Sequence, residues 1–576
     1  MAKRNIFNRV PVRRVKRAGF DLSSKILTTM VMGKLYPVGA PILAIPGDKH
    51  KLGHQVVAHA MPMGSPAFAD ITMYFLDFFV PFRILYPDID EHLFERFIAN
   101  EPLDNGETAV LPRMNPTDVK SLASIPSQYT ANNYYSQYDS LWDYFGFQTG
   151  VKPRGLSAPL DAPWRAYWLI YDEFIRDEKL EDKKDWSAFA HGSDYTNLEM
   201  IQPAYVNYAR DYLTSAFLSP QQGEAVSLPL SGYAPIVGDY NVYSPHSMVS
   251  RNGELIPFKV GNSSTSAYNA DLAVKGVVPN NEEIDPASES VSARVRTEEW
   301  EDGYEFASDS ADLGPLRADL TSASTYDIND LRLANALQRW KEINNRCGTR
   351  YAEFLRAQYG VAPRDERLQR PEFIGGTKCP IIVSQVLQTS NSDSQESPTG
   401  FKYGQGMAVD SDYSGTYFVK EFGLIMTLAY IRPKTLYQDG ITREWTPETY
   451  LDFMNPLYVG LGEQGIKNSE VFAVDDETEN RKIWGYQAMY QELRYRSDRV
   501  TGKMRSNLTT GMSNSFDYWH LGRHFESLPQ LNSEFIKCKP STRIFQAGNT
   551  EIQFICEIGN SVKSLRPLPY YAVPRF

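Results

Sequence analysis

The chain carries 576 residues, 42% hydrophobic, 22% charged and 13% aromatic, with a formal net charge of −11. That composition excludes an intrinsically disordered polymer, and the length passes the ~250–300 residues at which a single core stops growing. No apolar run approaches the ~18 residues of a membrane helix, and four scattered cysteines (Cys347, Cys379, Cys538 and Cys556) exclude a disulfide framework and read as small buried side chains in a reducing compartment.

The first segment opposes the charge of the whole. Residues 3–17 hold seven cations and no acid: Lys3, Arg4, Arg9, Arg13, Arg14, Lys16 and Arg17. Everything after Arg17 therefore sums to −18, the total of −11 less +7. The following "AGFDLSSKILTTM" is too polar for a secretory signal, and Pro11 interrupts the amphipathic helix of a mitochondrial presequence. Two readings remain: an exposed tail without a partner, or an extended basic arm that neutralises phosphates.

Farther along, "ITMYFLDFFV" (71–80), "CPIIVSQVLQT" (379–389), "FGLIMTLAYI" (422–431) and "EIQFICEI" (551–558) read as strands rich in β-branched and aromatic residues. Their dispersal means that strand partners come from distant parts of the chain. This favours a Greek-key or jelly-roll sheet with large insertions over successive βαβ units.

Helices are few. "PWRAYWLIYDEFIRDEKL" (163–180) places Tyr167, Ile170, Tyr171, Phe174 and Ile175 on one face, with Pro163 near its start. "YDINDLRLANALQRWKEINNR" aligns Ile328, Leu331, Ala334, Leu337 and Trp340, with Asp327 as N-cap. "TRYAEFLRAQYG" repeats the pattern and ends on Gly360, suited to a left-handed helix terminus. Between them, Asn281–Leu320 holds 12 acids against three arginines, a net −9. With the polar run Ser231–Asn280 it is an exposed excursion able to bury little surface.

Catalytic signals are weak. His50, His54 and His59 include an H-x-x-x-H pair, as do His520 and His524, but no glutamate follows the first histidine and a glycine intervenes each time. Both sets read as ordinary packing or surface histidines. Asp172, Glu173, Asp177 and Glu178 read as a solvated helix face. There is no G-x-S-x-G, Walker loop or dinucleotide fingerprint. A second basic cluster, Arg494, Arg496, Arg499, Lys503 and Arg505, lies near Tyr490 and Tyr495. It could track a single strand of nucleic acid, or pair with carboxylates at a subunit contact; the second reading is favoured.

The residues resemble a known family nearly end to end. The segments are "FDLSSKILTTM" (20–30), "PGD" (46–48), "DFFVPFRILYP" (77–87), "LWDYFG" (141–146), "PWRAYWLIYDEFIRDEKL" (163–180) and "RDYLTSAFLSPQQG" (210–223). They continue with "INDLRLANALQRW" (328–340), "GTRYAEFLRAQYGV" (348–361), "RLQRPEFIGG" (367–376), "LGEQGIKNSEVFA" (461–473) and "YRSDRVTGKMR" (495–505). In number, order and spacing they are similar to the major capsid proteins of microviruses, in particular the gokushovirus group of small single-stranded DNA bacteriophages. The segment between "TTM" and "PGD", and the Tyr-Pro after "FFVPFRIL", depart from the group's pattern.

The resemblance implies a mainly β chain, an eight-stranded antiparallel jelly roll of viral capsid type with long, partly helical insertions. Residues 1–19 would be an interior-facing basic arm whose cations bind DNA, and 20–223 jelly-roll strands with a helical insertion. Residues 224–325 would be a variable excursion forming the three-fold protrusion, and 326–576 a helical insertion, the remaining strands and a C-terminal extension. It implies a T=1 shell around circular single-stranded DNA, in the virion and, during assembly, the host cytoplasm. Its partners would be other copies of the chain, the genome, a small basic internal DNA-packaging protein, a pilot or vertex protein and a host cell-surface receptor. No catalytic residue, metal or cofactor is expected. The alternatives are a jelly-roll glycosidase or metal-binding cupin, for which no H-x-H constellation occurs, and a carbohydrate-binding adhesin.

Overall fold

The computed structural model describes residues 16–87, 90, 92–114, 138–151, 157–184, 198–226, 328–387, 402–506, 515–545 and 552–571, together with five short strands between 236 and 318. Five of the seven arm cations (Lys3, Arg4, Arg9, Arg13 and Arg14) and the helix cap Asp327 lie outside them. The chain groups into two units, Met1–Ala225 with Gln338–Phe576, and Val226–Leu337.

The first unit is built on strands β1 (Ala18–Asp21), β2 (Ser24–Met30), β3 (Leu35–Pro37), β4 (Ile42–Ala44), β5 (Lys49–Ala60) and β6 (Ile71–Pro81). In the second, β7 (Ile236–Val237) pairs with β11 (Arg317–Ala318), and β8 (Ser247–Ser250) with β9 (Leu255–Pro257) and β10 (Tyr304–Glu305). The first unit resumes with β12 (Glu372–Leu387), β13 (Lys402–Phe418), β14 (Gly423–Pro433), β15 (Glu463–Lys467), β16 (Ile483–Ala488) and β17 (Phe554–Arg566). Ten of these strands form one antiparallel sheet in the order β1-β17-β5-β13-β12-β6-β14-β3, with β2 also on β17 and β4 also on β14. β15 and β16 make a separate ribbon.

The sheet curls because β12 serves two partners. Its first part pairs with β6 from Glu372 to Ile381, and its second with β13 from Ile382 to Leu387. Val56, Ala58, Met73, Phe75, Ile381, Ala408, Ile431, Phe554 and Ile558 fill the space between the two halves. This is a mainly β, jelly-roll type of architecture. The bulges at Phe373/Gly375 and Tyr413/Gly415 bring two strands so close that a Cβ on Gly375 would lie 2.3 Å from the Ser414 carbonyl oxygen. Only glycine fits there.

Strand β6 shows why the apolar stretch lacks simple alternation: it is buried on both faces. Met73, Phe75 and Phe79 face the other half-sheet, whereas Phe78 and Val80 face helix α1, residues Ala162–Ile170. There Trp164, Tyr167, Trp168 and Tyr171 pack against Leu424, Met426 and Leu428 of β14. Their polar ends are satisfied: both indole N–H groups donate to the Met200 carbonyl, at 3.0 and 3.1 Å, and the Tyr167 hydroxyl donates to that of Leu35 at 2.9 Å.

Two expectations need correction. The helix from 163 does not run regularly to 180, since residues Tyr171–Ile175 form a π-turn closed by Arg176 N–H donating to the Tyr171 carbonyl at 2.9 Å. That turn carries Asp172 inward, so it is not on a solvated face. Its side chain is fully buried 3.2 Å from Arg176, and burial pushes its carboxyl up to about 6. Helix α2 (Ile328–Cys347) and helix α3 (Tyr351–Tyr359, ending on Gly360 at φ +68°) occupy the anticipated segments. Trp340, Tyr351 and Tyr359 are exposed on them.

Candidate functional site: two exposed surfaces of the sheet unit

The first surface is a rigid apolar ledge. Gly440, at φ +80°, turns the chain where a Cβ would stand 2.1 Å from the Glu470 carbonyl oxygen. Arg443 then points inward. Its guanidinium donates to the Gly465 carbonyl at 2.6 Å and meets Asp452 at 3.1 Å, Glu470 at 3.5 Å and Glu492 at 3.9 Å. Burial works against that charge, but Glu470 and its neighbours outweigh it and hold the Arg443 pKa above its ordinary value. Asp452 also accepts from the N–H groups of Glu448 (2.9 Å) and Thr449 (2.8 Å), and the Tyr490 hydroxyl donates to the carbonyls of Leu451 and Phe453.

These internal ties fix a backbone that turns large apolar side chains outward. Trp445 is 76% exposed and Leu457 83%, with Tyr450, Phe453, Met454 and Leu461 also exposed. Soluble monomers rarely keep so many together in the open, because each costs apolar hydration. The arrangement is that of a surface made to be covered.

The predicted cluster borders this ledge, but its members are engaged differently. Arg496 meets Glu444 at 3.4 Å with its side chain 83% exposed. Arg499 donates to the Gly440 carbonyl at 2.9 Å, and burial lowers its pKa. Arg505 donates to the Val500 carbonyl at 3.0 Å, and Arg494 to the Gln491 side chain at 3.3 Å. Lys503 lies in a short 3-10 turn, Gly502–Met504, and is exposed. Within the described residues, then, one of the five pairs with a carboxylate and two brace the main chain.

The second surface is the outer face of the half-sheet at the root of the basic arm. Lys16 and Arg17 are exposed, and Arg17 lies over the Phe418 ring at 5.3 Å. The register aligns Lys563 with Lys51 and Thr416, and Leu565 with Lys49 and Phe418. Lys49 and Lys51 are legible in the sequence as alternate exposed positions of a strand reading K-H-K, beside the histidines His50 and His54. Nothing local marked Lys563 as their neighbour.

Those histidines point inward. His54 is buried between Asp77 and Asn560, and the His50 Nδ1 lies 2.7 Å from the Ser564 hydroxyl. His520 and His524 contact the Met504 carbonyl and Asp439 respectively. Among the described residues no three histidine, cysteine or carboxylate side chains converge as metal ligands. All four cysteines are free, and burial pushes the thiols of Cys538 and Cys556 up to about 12.

Residues 8–576 match the family described as capsid protein (F protein). The capsid protein VP1 of Chlamydia phage 1 is 29% identical over 609 residues, covering 99% of this chain and 97% of the relative. That of Bdellovibrio phage phiMH2K is 28% identical with the same coverages, and that of Spiroplasma virus 4 is 26% identical over 97% of this chain and 95% of its own length.

Proposed function

The chain belongs to the capsid protein (F protein) family, and from that premise we propose that it closes as a T=1 icosahedral shell around a circular single-stranded DNA genome. Its role is structural, as a subunit of the virion capsid of a small single-stranded DNA phage, and assembly with copies of itself follows from that role. The observation that carries the reading is the ledge at 443–461, where part-buried polar ties hold large apolar side chains in solvent. A second copy of the chain covers it in the shell.

In this reading the arm cations Lys3, Arg4, Arg9, Arg13, Arg14, Lys16 and Arg17 project inward onto phosphate. The acidic body keeps the exterior soluble. Seven cations neutralise part of a genome strand, so a small basic packaging protein completes the interior, and a pilot protein and host receptor complete the particle. The 494–505 arginines border the ledge and serve the subunit contact. The excursion at 224–325 forms a protrusion for host attachment, and the shell is put together in the host cytoplasm.

Size-exclusion chromatography and negative-stain imaging of the purified chain test this. Megadalton shells are expected; a small oligomer under all assembly conditions would overturn it in favour of a carbohydrate-binding or glycosidase-type jelly roll. Protease treatment of intact shells should spare Arg13–Arg14. Deleting residues 231–320 should leave assembly intact and impair attachment to cells.

A further inference from the structure

The outer face of β17, β5 and β13 changes character along its length. One cross-strand row reads Ile555, His59, Met407 and Ile382. At the other end Lys563 stands directly across from Lys51, with Lys49 beside them. Gly19 contributes no side chain, and the face there forms a shallow depression of about 520 Å³ lined by Asp21, Lys49, Lys51, Thr416 and Lys563.

Two like charges placed directly across a sheet repel, so folding alone does not favour this pair. Among the described residues none of Arg17, Lys49, Lys51 and Lys563 has a carboxylate within ion-pair distance. Asp21, in register with Lys563 on its other side, feels that lysine's charge, but its carboxylate is bonded to Ser23, accepting from the backbone N–H at 3.0 Å and from the hydroxyl. Aromatic rings are interleaved with the cations. The Lys51 ammonium lies 5.1 Å from the centre of Tyr413, as Arg17 lies over Phe418, and both rings are about half exposed, at 51% and 46%.

We propose that this end of the sheet is a binding platform for single-stranded nucleic acid, with Lys49, Lys51, Lys563 and Arg17 on phosphates and Tyr413 and Phe418 stacked on bases. Cations that track a backbone beside open rings are the combination that holds single strands without reading sequence. Lys16 and Arg17, the last two cations of the basic segment, stand exposed at this edge. The proposal rests on the capsid reading, which makes this face interior. An acidic protein segment would satisfy the lysines but would leave the rings without a purpose.

The test uses the full-length chain, a fluorescent oligo(dT) and a poly-glutamate peptide of equal charge. The double change Lys51→Ala with Lys563→Ala should flatten the slope of log affinity against log salt by about 1.4, that is ~0.7 for each phosphate no longer neutralised. Thermal unfolding of that variant should be nearly unchanged, since the Lys51–Lys563 repulsion and the Lys563–Asp21 attraction are removed together. Tyr413→Ala should weaken oligo(dT) binding by about 5- to 150-fold, and Tyr413→Phe, which keeps the ring, should not. An unchanged salt slope overturns the proposal. So does poly-glutamate binding as tightly as DNA with no effect of Tyr413→Ala. Negative-stain imaging separates the two readings: shells that form normally from a variant with unaltered DNA affinity refute the platform alone, whereas absence of shells from the unmodified chain refutes the capsid reading.

Discussion

Replacing His54 with leucine would break a deeply buried ionic contact between the two halves of the sheet. The His54 Nε2 lies 2.8 Å from Asp77 on β6, and its Nδ1 lies 3.0 Å from the side-chain oxygen of Asn560 on β17. The Asn560 amide is oriented by its own NH₂, which donates to the Val38 carbonyl at 2.6 Å, so its oxygen accepts from Nδ1–H. Asp77 accepts from Nε2–H and also from the Thr427 hydroxyl at 2.6 Å. Both ring nitrogens face acceptors, an arrangement that favours the imidazolium form. Burial opposes that charge, but Asp77 and Asn560, with a smaller contribution from Asp412, outweigh it and raise the His54 pKa above 6.5.

Side-chain exposures of 3% and 0% leave little water to screen the pair, so His54→Leu, which strands Asp77, should cost about 3–5 kcal/mol. The double change His54→Leu with Asp77→Leu should recover most of it, since two charges no longer need desolvation. The pH dependence has a definite sign. A raised folded pKa means that the folded state holds the proton longer, so this stabilisation is complete below the ordinary value of 6.5 and is lost as pH rises through the folded value. His50 behaves oppositely: burial lowers its pKa despite Asp48, so its contribution is lost as pH falls below 6.5. Denaturant unfolding from about pH 5 to about pH 9 would measure both arms. If His54→Leu unfolds within about 0.5 kcal/mol of the unmodified chain, or if the alkaline loss persists undiminished in the double variant, the imidazolium assignment is wrong.

Arg443→Ala should lower stability by about 3–5 kcal/mol, because Asp452, Glu470 and Glu492 are left without their shared cation; unfolding midpoints check this, and shell yield should fall with them. Leu457→Asp, at an exposed position of the ledge, should change the stability of the unassembled chain by under about 0.5 kcal/mol yet abolish shells on a sedimentation gradient. Normal shells from that variant would remove the ledge from the assembly interface. Arg496→Ala, at a solvent-screened pair, should cost under about 1 kcal/mol, whereas Arg499→Ala frees a part-buried carbonyl at Gly440 and should cost about 1–3 kcal/mol. Equal unfolding midpoints for the two would contradict their different surroundings.

Strands buried on both faces were the most legible elements. Ile71–Pro81 and Gly423–Pro433 carry apolar side chains at consecutive positions, which a half-exposed strand or a surface helix would not. Strand β13 was missed because "KYGQGMAVDSDYSGTYF" is rich in Gly, Ser and Asp, composition that ordinarily marks a loop. It becomes a strand because β5 and β12 offer it ladders on both edges, and because Gly415 allows the close crossing. The buried Asp172 was misplaced for a related reason: regular helical periodicity put it outside, and the π-turn rotated it in.

Sequence alone determined what is local or cumulative: the basic opening against an acidic body, the two-sided strands, the helices at 328 and 351, and the end-to-end resemblance to a capsid family. Tertiary structure decided which distant residues share a face. His54 meets Asn560 across 506 residues of chain, and Lys51 stands opposite Lys563, because β17 closes on β5. Side-chain period and composition repeat over a few residues and are therefore written into any segment, whereas the register between two strands is set by the burial of both at once. The imidazolium clamp, the opposed lysines and the open ledge exist only after that pairing has formed.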